Sequence, residues 1–164
     1  MNIAIISSYT ADKEKSAGIL EKEFNLITSP DYENYYELAN FFKDYGFYEK
    51  SVKYYSLALE NINKNHFLVP KILDRRGTSY EKLNKWSKAE KDLKNSLQIL
   101  PNQPYVLNYL AYSWIDKGIN IKQSLEMLNK ANNLKKNDGY ITDSLGWAYY
   151  LNKNYISAEI FLRA

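Results

Sequence analysis

The chain has 164 residues, 45% hydrophobic and 25% charged, enough to bury a sizeable core and ordinary for a soluble globular protein. Cys 0 excludes disulfides, thiol catalysis and thiolate metal sites, and a net charge of +3 is too small to imply nucleic-acid or membrane binding by itself. Gly 6 and Pro 4 are few, which favours helices over turn-rich β structure.

The N-terminus, MNIAIISSYTADKEKS, carries an apolar patch only from Ile3 to Ile6, with no basic residue before it. That is too short for a signal-peptide core and far too short for a membrane span. The expected compartment is the cytoplasm by default, or the periplasm if the chain is a segment of a longer protein. Residues 1–30 read in two ways: as the tail of a degenerate repeat with Ile5 and Ala17 at its small positions, or as one capping helix over about 11–27.

Beyond that point helices are predicted in pairs. Asp31 can cap a helix over 32–45 that Gly46 closes, and a second runs over 48–61. After the polar stretch Asn61 to Asn65, helices are expected over 68–83 and 86–99, ended by Pro101. The next pair spans 105–117 and 121–134; the last starts at Asn137-Asp138-Gly139, reaches about Asn152 and resumes at Tyr155.

The pairs share a pattern. Ala39, Gly77, Ala111 and Gly146 are spaced by 38, 34 and 35 residues, and an aromatic stands three residues after each: Phe42, Tyr80, Trp114 and Tyr149. Small residues return at Ser51, Ala89, Ser124 and Ala158, with a large apolar residue four later at Tyr55, Leu93, Leu128 and Leu162. Ala58, Ser96 and Ala131 follow three residues on. Small side chains let paired helices approach while the ring fills the groove beside them. A large residue at Gly77 or Gly146 is therefore expected to destabilise the chain by about a few kcal/mol through overpacking.

In spacing and chemistry this pattern resembles the tetratricopeptide repeat, a helix–turn–helix unit of about 34 residues. The resemblance implies an all-α fold, a right-handed α-solenoid of such repeats. Its parts would be a degenerate repeat or capping helix at 1–30, then repeats at 31–65, 66–103, 104–138 and 139–164, the last cut short in its second helix. That helix stops at Ala164 without a polar cap, although terminal repeats normally carry one. The expectation is a segment of a longer repeat protein, or a C-terminal face open to self-association or to another chain.

The stretches PNQPYVLNYLAYSW and DKGINIKQSLEML, then NDGYITDSLGWAYYLNKNYISAEIFL, are further similar to a bacterial tetratricopeptide family of longer multi-repeat proteins with NYLGYSW and DGYILDSLGW motifs. The similarity covers 70–164 well and 1–69 weakly. Ala111 stands in place of a glycine, and Lys136 where a helix-ending proline is common. The family implies an interaction scaffold in an envelope or cytosolic assembly, and no chemistry.

The resemblance also implies which residues face a partner. First helices line the concave face, which places Tyr36 and Asn40, Asp74 and Thr78, Asn108 and Tyr112, Asp143 and Trp147 inward, joined by Lys71, Tyr105 and Tyr140. Amides, carboxylates and rings together suit an extended protein or peptide segment. The Lys/Asn clamp with which similar repeats hold a chaperone's C-terminal carboxylate is incomplete. Asn40 and Lys71 survive, but Asp74 and Asp143 stand where a cation is needed, which favours a neutral or basic ligand.

Enzyme readings find little. His66 is the only histidine and reads as a solvated loop side chain, and no GxxxxGK loop occurs. Asp74 and Asp143 lie two repeats apart, roughly 20 Å or more by helix spacing, beyond the reach of a paired-carboxylate mechanism. Lys82, Lys85, Lys88, Lys91 and Lys94 are interleaved with Glu81, Glu90 and Asp92 and read as a solvated face, not a nucleic-acid patch. The expected function is a non-enzymatic interaction scaffold with a protein or peptide partner, without metal, cofactor, nucleic acid or direct membrane insertion. Two alternatives stand beside it: a structural, self-associating segment of a longer array, or an accessory domain of a larger enzyme.

Overall fold

A computed structural model of the protein describes residues 13–162. Among these residues there are nine helices and no strand: α1 (Lys13–Phe24), α2 (Tyr32–Asp44), α3 (Tyr48–Asn61), α4 (Val69–Lys82), α5 (Trp86–Ile99), α6 (Pro104–Asp116), α7 (Ile121–Leu134), α8 (Gly139–Leu151) and α9 (Tyr155–Leu162). From residue 32 onward every expected helix is present, with ends displaced by a residue or so. The patch Ile3–Ile6, and with it the expected role of Ile5, lies outside the described residues. Two compact units divide the chain, Met1–Asp92 and Leu93–Ala164, the division falling inside α5.

In the first unit, α2 starts on a reciprocal cap. Asp31 Oδ1 accepts from the Asn34 N–H at 2.9 Å, and Asn34 Oδ1 accepts from the Asp31 N–H at 3.2 Å. Two of the helix's orphan donors are thereby satisfied. Ala39, Ser51, Tyr55 and Ala58 are fully buried between α2 and α3. Phe42 stacks on Tyr54 at 5.5 Å, and Phe24 of α1 meets the edge of Tyr54 at 5.6 Å, so α1 is docked through Ala17, Leu20 and Phe24. Burial pushes the Tyr54 hydroxyl up to about 12, and its bond to Glu21 adds to the shift.

A charged pair is buried in the same unit. Arg76 grips Asp92 through Nε at 2.7 Å and Nη2 at 2.9 Å, and its Nη1 donates to Ser56 Oγ at 3.0 Å. Only 19% and 6% of the Arg76 and Asp92 side chains are exposed. The bidentate pairing offsets part of the hydration that each charge loses.

In the second unit, Trp114, Leu110, Ala111, Leu128, Ala131, Leu145 and Ala148 form the buried interior, with Lys94 Nζ 5.2 Å from the centre of the Trp114 ring. Gly146 is buried where α9 crosses α8. A Cβ there would stand 2.8 Å from Leu162 Cγ and Cδ2 and 3.3 Å from Phe161 Cβ, so the absent side chain permits the approach. Leu162 departs from its counterparts. Tyr55, Leu93 and Leu128 are fully buried, whereas Leu162 is half exposed although it packs on Gly146, and Ile156 and Ile160 are exposed.

One turn recurs four times. Seven residues after each small position the chain enters the left-handed region, at Gly46, Asn84, Gly118 and Lys153. The next N–H then returns to the carbonyl of the repeat's own aromatic: Phe47 to Phe42, Lys85 to Tyr80, Ile119 to Trp114 and Asn154 to Tyr149, at 2.7–2.9 Å. This closes each first helix and starts its partner back. Glycine and asparagine suit the conformation; Lys153 adopts it against its own Cβ sterics.

His66 differs from the expectation of a solvated side chain. It is half-buried, its ring centre 5.0 Å from that of Tyr32 and its Nε2 3.4 Å from the Tyr32 hydroxyl, while Nδ1 lies 3.3 Å from the Leu68 N–H. The long connection before α4 packs its histidine back on α2. All five lysines from Lys82 to Lys94 are exposed.

Candidate functional site

The second unit holds a cleft of about 460 Å³ between α6 and α8, within the range of ligand pockets. Helical periodicity builds it. Asn108, Tyr109 and Tyr112 share one side of α6; Tyr140, Asp143, Ser144 and Trp147 share one side of α8; Leu162 of α9 closes one end. Tyr112, Tyr140 and Trp147 are 44%, 81% and 40% exposed, so broad ring faces remain open to a ligand. The indole of Trp147 is held by stacking on Tyr150 at 5.4 Å. Asn108 Oδ1 is buried with no hydrogen-bond partner, an unmet demand at the cleft's lining. Asp143 is the only charged lining residue among those described.

The mouth of the cleft is fastened by Asp138, the N-cap of α8. Its Oδ1 lies 3.3 Å from the Ile141 N–H, and its Oδ2 accepts from the Tyr105 hydroxyl at 2.8 Å and from Lys135 Nζ at 3.1 Å. Lys135 also bonds the Tyr105 oxygen and stands 4.2 Å from its ring centre. The Tyr105 bond, followed by those of Lys135 and the Ile141 N–H, holds the Asp138 carboxyl below the usual range. Lys135 is raised, by Tyr105 first and then by Asp138. Tyr105 therefore ties the start of α6 to the start of α8. Gln103, before α6, is tied to the end of α5, its Nε2 donating to the carbonyls of Ser96 and Leu100 and to Ser96 Oγ.

In the first unit Asn40, Tyr36 and Thr78 have internal partners. Asn40 Oδ1 accepts from the Tyr55 hydroxyl at 2.7 Å and from Arg75 Nη1 at 2.9 Å, and the Tyr36 ring lies 6.2 Å from that of Tyr55. Burial pushes the Tyr55 hydroxyl up, against the pull of Arg75. Thr78 Oγ1 donates to the Arg75 carbonyl at 2.9 Å. Asp74 is half-buried with no hydrogen bond or ion pair among the described residues; burial raises its carboxyl, against the pull of Arg75, Lys43 and Lys71. Lys71 is exposed.

Of the residues marked in the sequence, Asn108, Tyr112, Tyr140, Asp143 and Trp147 thus come together in one cleft, with Tyr105 at its edge. Tyr36, Asn40, Lys71, Asp74 and Thr78 belong to the first unit. The sequence reading passed over Tyr109, Ser144 and Leu162. Tyr109 and Ser144 each follow a marked residue, and widening the inward stripe by one helical position would have found both. A wider depression of about 730 Å³ runs along α7 beside Tyr149, but Lys122, Glu126, Lys130 and amides line it, and its single ring already bonds Asn129 at 3.3 Å. Among the described residues no group of three acidic or histidine side chains could hold a metal ion, and no helix is long and apolar enough to cross a membrane.

No protein-family model matches the chain. It is 33% identical over 92 residues to the TPR repeat-containing protein PA4667 of Pseudomonas aeruginosa, a match that spans 56% of this chain and 16% of that protein. The fold is similar to that of MamA from Desulfovibrio magneticus RS-1, with a TM-score of 0.76 at 19% identity, covering 93% of this chain and 83% of the other. It is also similar to YrrB, a TPR protein described as having an unusual peptide-binding site, with a TM-score of 0.72 at 17% identity and coverage of 98% and 79%.

Proposed function

We propose that this chain, whose fold is that of tetratricopeptide-repeat proteins, acts as a non-enzymatic interaction scaffold that receives an extended segment of a protein partner in the cleft between α6 and α8. One observation carries the reading: Tyr112, Tyr140 and Trp147 present open ring faces beside a buried, unpartnered Asn108 Oδ1. Exposed rings are expensive to leave in water and lose little side-chain entropy when covered, which is why aromatic residues anchor interfaces. A polypeptide supplies both apolar side chains for the rings and N–H groups for the amide. The similarity to YrrB supports a peptide as the kind of ligand.

The test is partner capture from native lysate by pull-down and mass spectrometry, with the wild-type chain beside a Tyr112/Trp147→Ala variant shown to be folded. A partner held by the wild type and lost by the variant is the expected result. Partners kept by both, or by neither, would overturn the assignment.

A second reading is favoured by α9, where Ile156, Ile160 and Leu162 are 78%, 64% and 51% exposed. Such an apolar face suits self-association or packing within a larger repeat protein. A monodisperse monomer by light scattering across a wide concentration range would remove self-association.

A further inference from the structure

We infer that the α6/α8 cleft is a seat for a cationic side chain, a lysine or an arginine, carried by the bound polypeptide. This rests on the reading of the cleft as a polypeptide site and specifies which residue that site selects. Tyr109, Tyr112, Tyr140 and Trp147 supply ring faces, whose quadrupole attracts a cation, and among the described residues Asp143 supplies the only charge, which is negative. Among those residues no lysine or arginine lines the cleft.

The same two helices already hold an internal cation in this way. At the cleft's mouth, Lys135 Nζ stands 4.2 Å from the Tyr105 ring centre and 3.1 Å from Asp138 Oδ2, a ring from α6 and a carboxylate at the start of α8. Tyr112 lies two helical turns beyond Tyr105 on the same side of α6, and Asp143 lies further along α8. Ring and carboxylate are repeated there, with no cation lining the cleft beside them among the described residues.

Other ligand chemistries fit less well. An apolar side chain would cover the rings but strip water from Asp143 and leave Asn108 Oδ1 unmet. An acidic side chain would meet Asp143 with like charge. A guanidinium or ammonium lies flat on or points into the rings while donating N–H bonds to carboxylate and amide oxygens.

The test uses the immobilised full chain and acetylated, amidated heptapeptides with randomised flanks and a fixed central arginine, lysine, citrulline, norleucine or glutamate. Bound fractions are compared for the wild type, Asp143→Asn and Trp147→Ala, each checked for an unchanged helical spectrum. Arginine- and lysine-centred peptides should be retained about tenfold over their neutral counterparts. Asp143→Asn should abolish that preference while leaving weaker, Trp147-dependent retention of neutral peptides. Equal, Trp147-dependent retention of neutral and cationic peptides would overturn the cation seat and leave the polypeptide cleft standing. A cationic preference that survives Asp143→Asn would also overturn it, by sending the charge elsewhere. Retention of no peptide set by the wild type would overturn both readings.

Discussion

The two units place residues at matching repeat positions and put them to different uses. In the first, Asn40 is consumed by Tyr55 and Arg75, and Tyr36 lies beside the Tyr55 ring. In the second, Asn108 keeps a buried oxygen unpaired and the rings of Tyr112 and Trp147 stay open. Arg75 follows Asp74, where α6 has Tyr109 after Asn108 and α8 has Ser144 after Asp143. Arginine reaches across and fills an acceptor; tyrosine adds another wall; Ser144 bonds its own helix at the Tyr140 carbonyl, 2.8 Å away. Solenoid positions define where a side chain starts, and its neighbours decide whether anything is left to bind with.

The largest effect that would break this comparison lies in the first unit, which relies on polar groups satisfied internally. Arg76→Ala strands the Asp92 carboxylate in a site where only 6% of its side chain is exposed. The expected loss is about 3–5 kcal/mol, because an unpaired buried charge is far costlier than an absent pair. Urea unfolding followed by circular dichroism measures it. A loss below about 1 kcal/mol would mean that water reaches Asp92 and that the first unit is looser than its hydrogen bonds imply.

The comparison is sharpened by a pair of variants at matching surfaces. Asn40→Ala removes the acceptor shared by Tyr55 and Arg75 and should cost about 1–3 kcal/mol, since a buried hydroxyl and a half-buried guanidinium lose their partner together. Tyr112→Ala removes an open ring and should change stability by no more than about 0.5 kcal/mol. At this chain length, each kcal/mol moves the melting temperature by roughly 2–4 °C, so a thermal scan separates them. Equal losses would show that Tyr112 is a packing residue and that the cleft is part of the core.

These differences explain what could be read in advance. The small-residue and aromatic spacing located the helices and most of the interior, because packing against a neighbouring helix depends on side-chain size at fixed intervals: Ala39, Ala111 and Gly146, then Ser51, Ser124 and Ala158, are all buried. Glycine marked the turn at Gly46. At Lys153 nothing in the residue type announced a left-handed turn, since the bond from Asn154 to Tyr149 imposes it. The cleft was legible as a stripe of inward positions. Which of them stayed free was not, because Arg75 filling Asn40 and Asp138 tying Tyr105 depend on side-chain reach across helices, which sequence spacing does not encode.

Asp74 gives the smallest effect and the most direct probe of charge at these faces. Burial raises its carboxyl above the ordinary 3.8, outweighing the pull of Arg75, Lys43 and Lys71. The folded chain therefore binds this proton more tightly than the unfolded chain does. Stability contributed by the protonated form is present below the unfolded value and declines as pH rises through the raised folded value, so ionised Asp74 opposes folding at neutral pH. Asp74→Asn should thus be more stable than the wild type at pH 7, with the gap narrowing as pH falls through the raised folded value and closed below about 3.8, where the carboxyl is neutral in both states. Urea midpoints at pH 7, 5 and 3 measure that gap. A gap that is reversed at pH 7 would show that the surrounding cations outweigh burial. Asp74 would then be a satisfied partner of Arg75 and Lys71, and the negative charge open to a basic ligand would rest with Asp143 in the second unit.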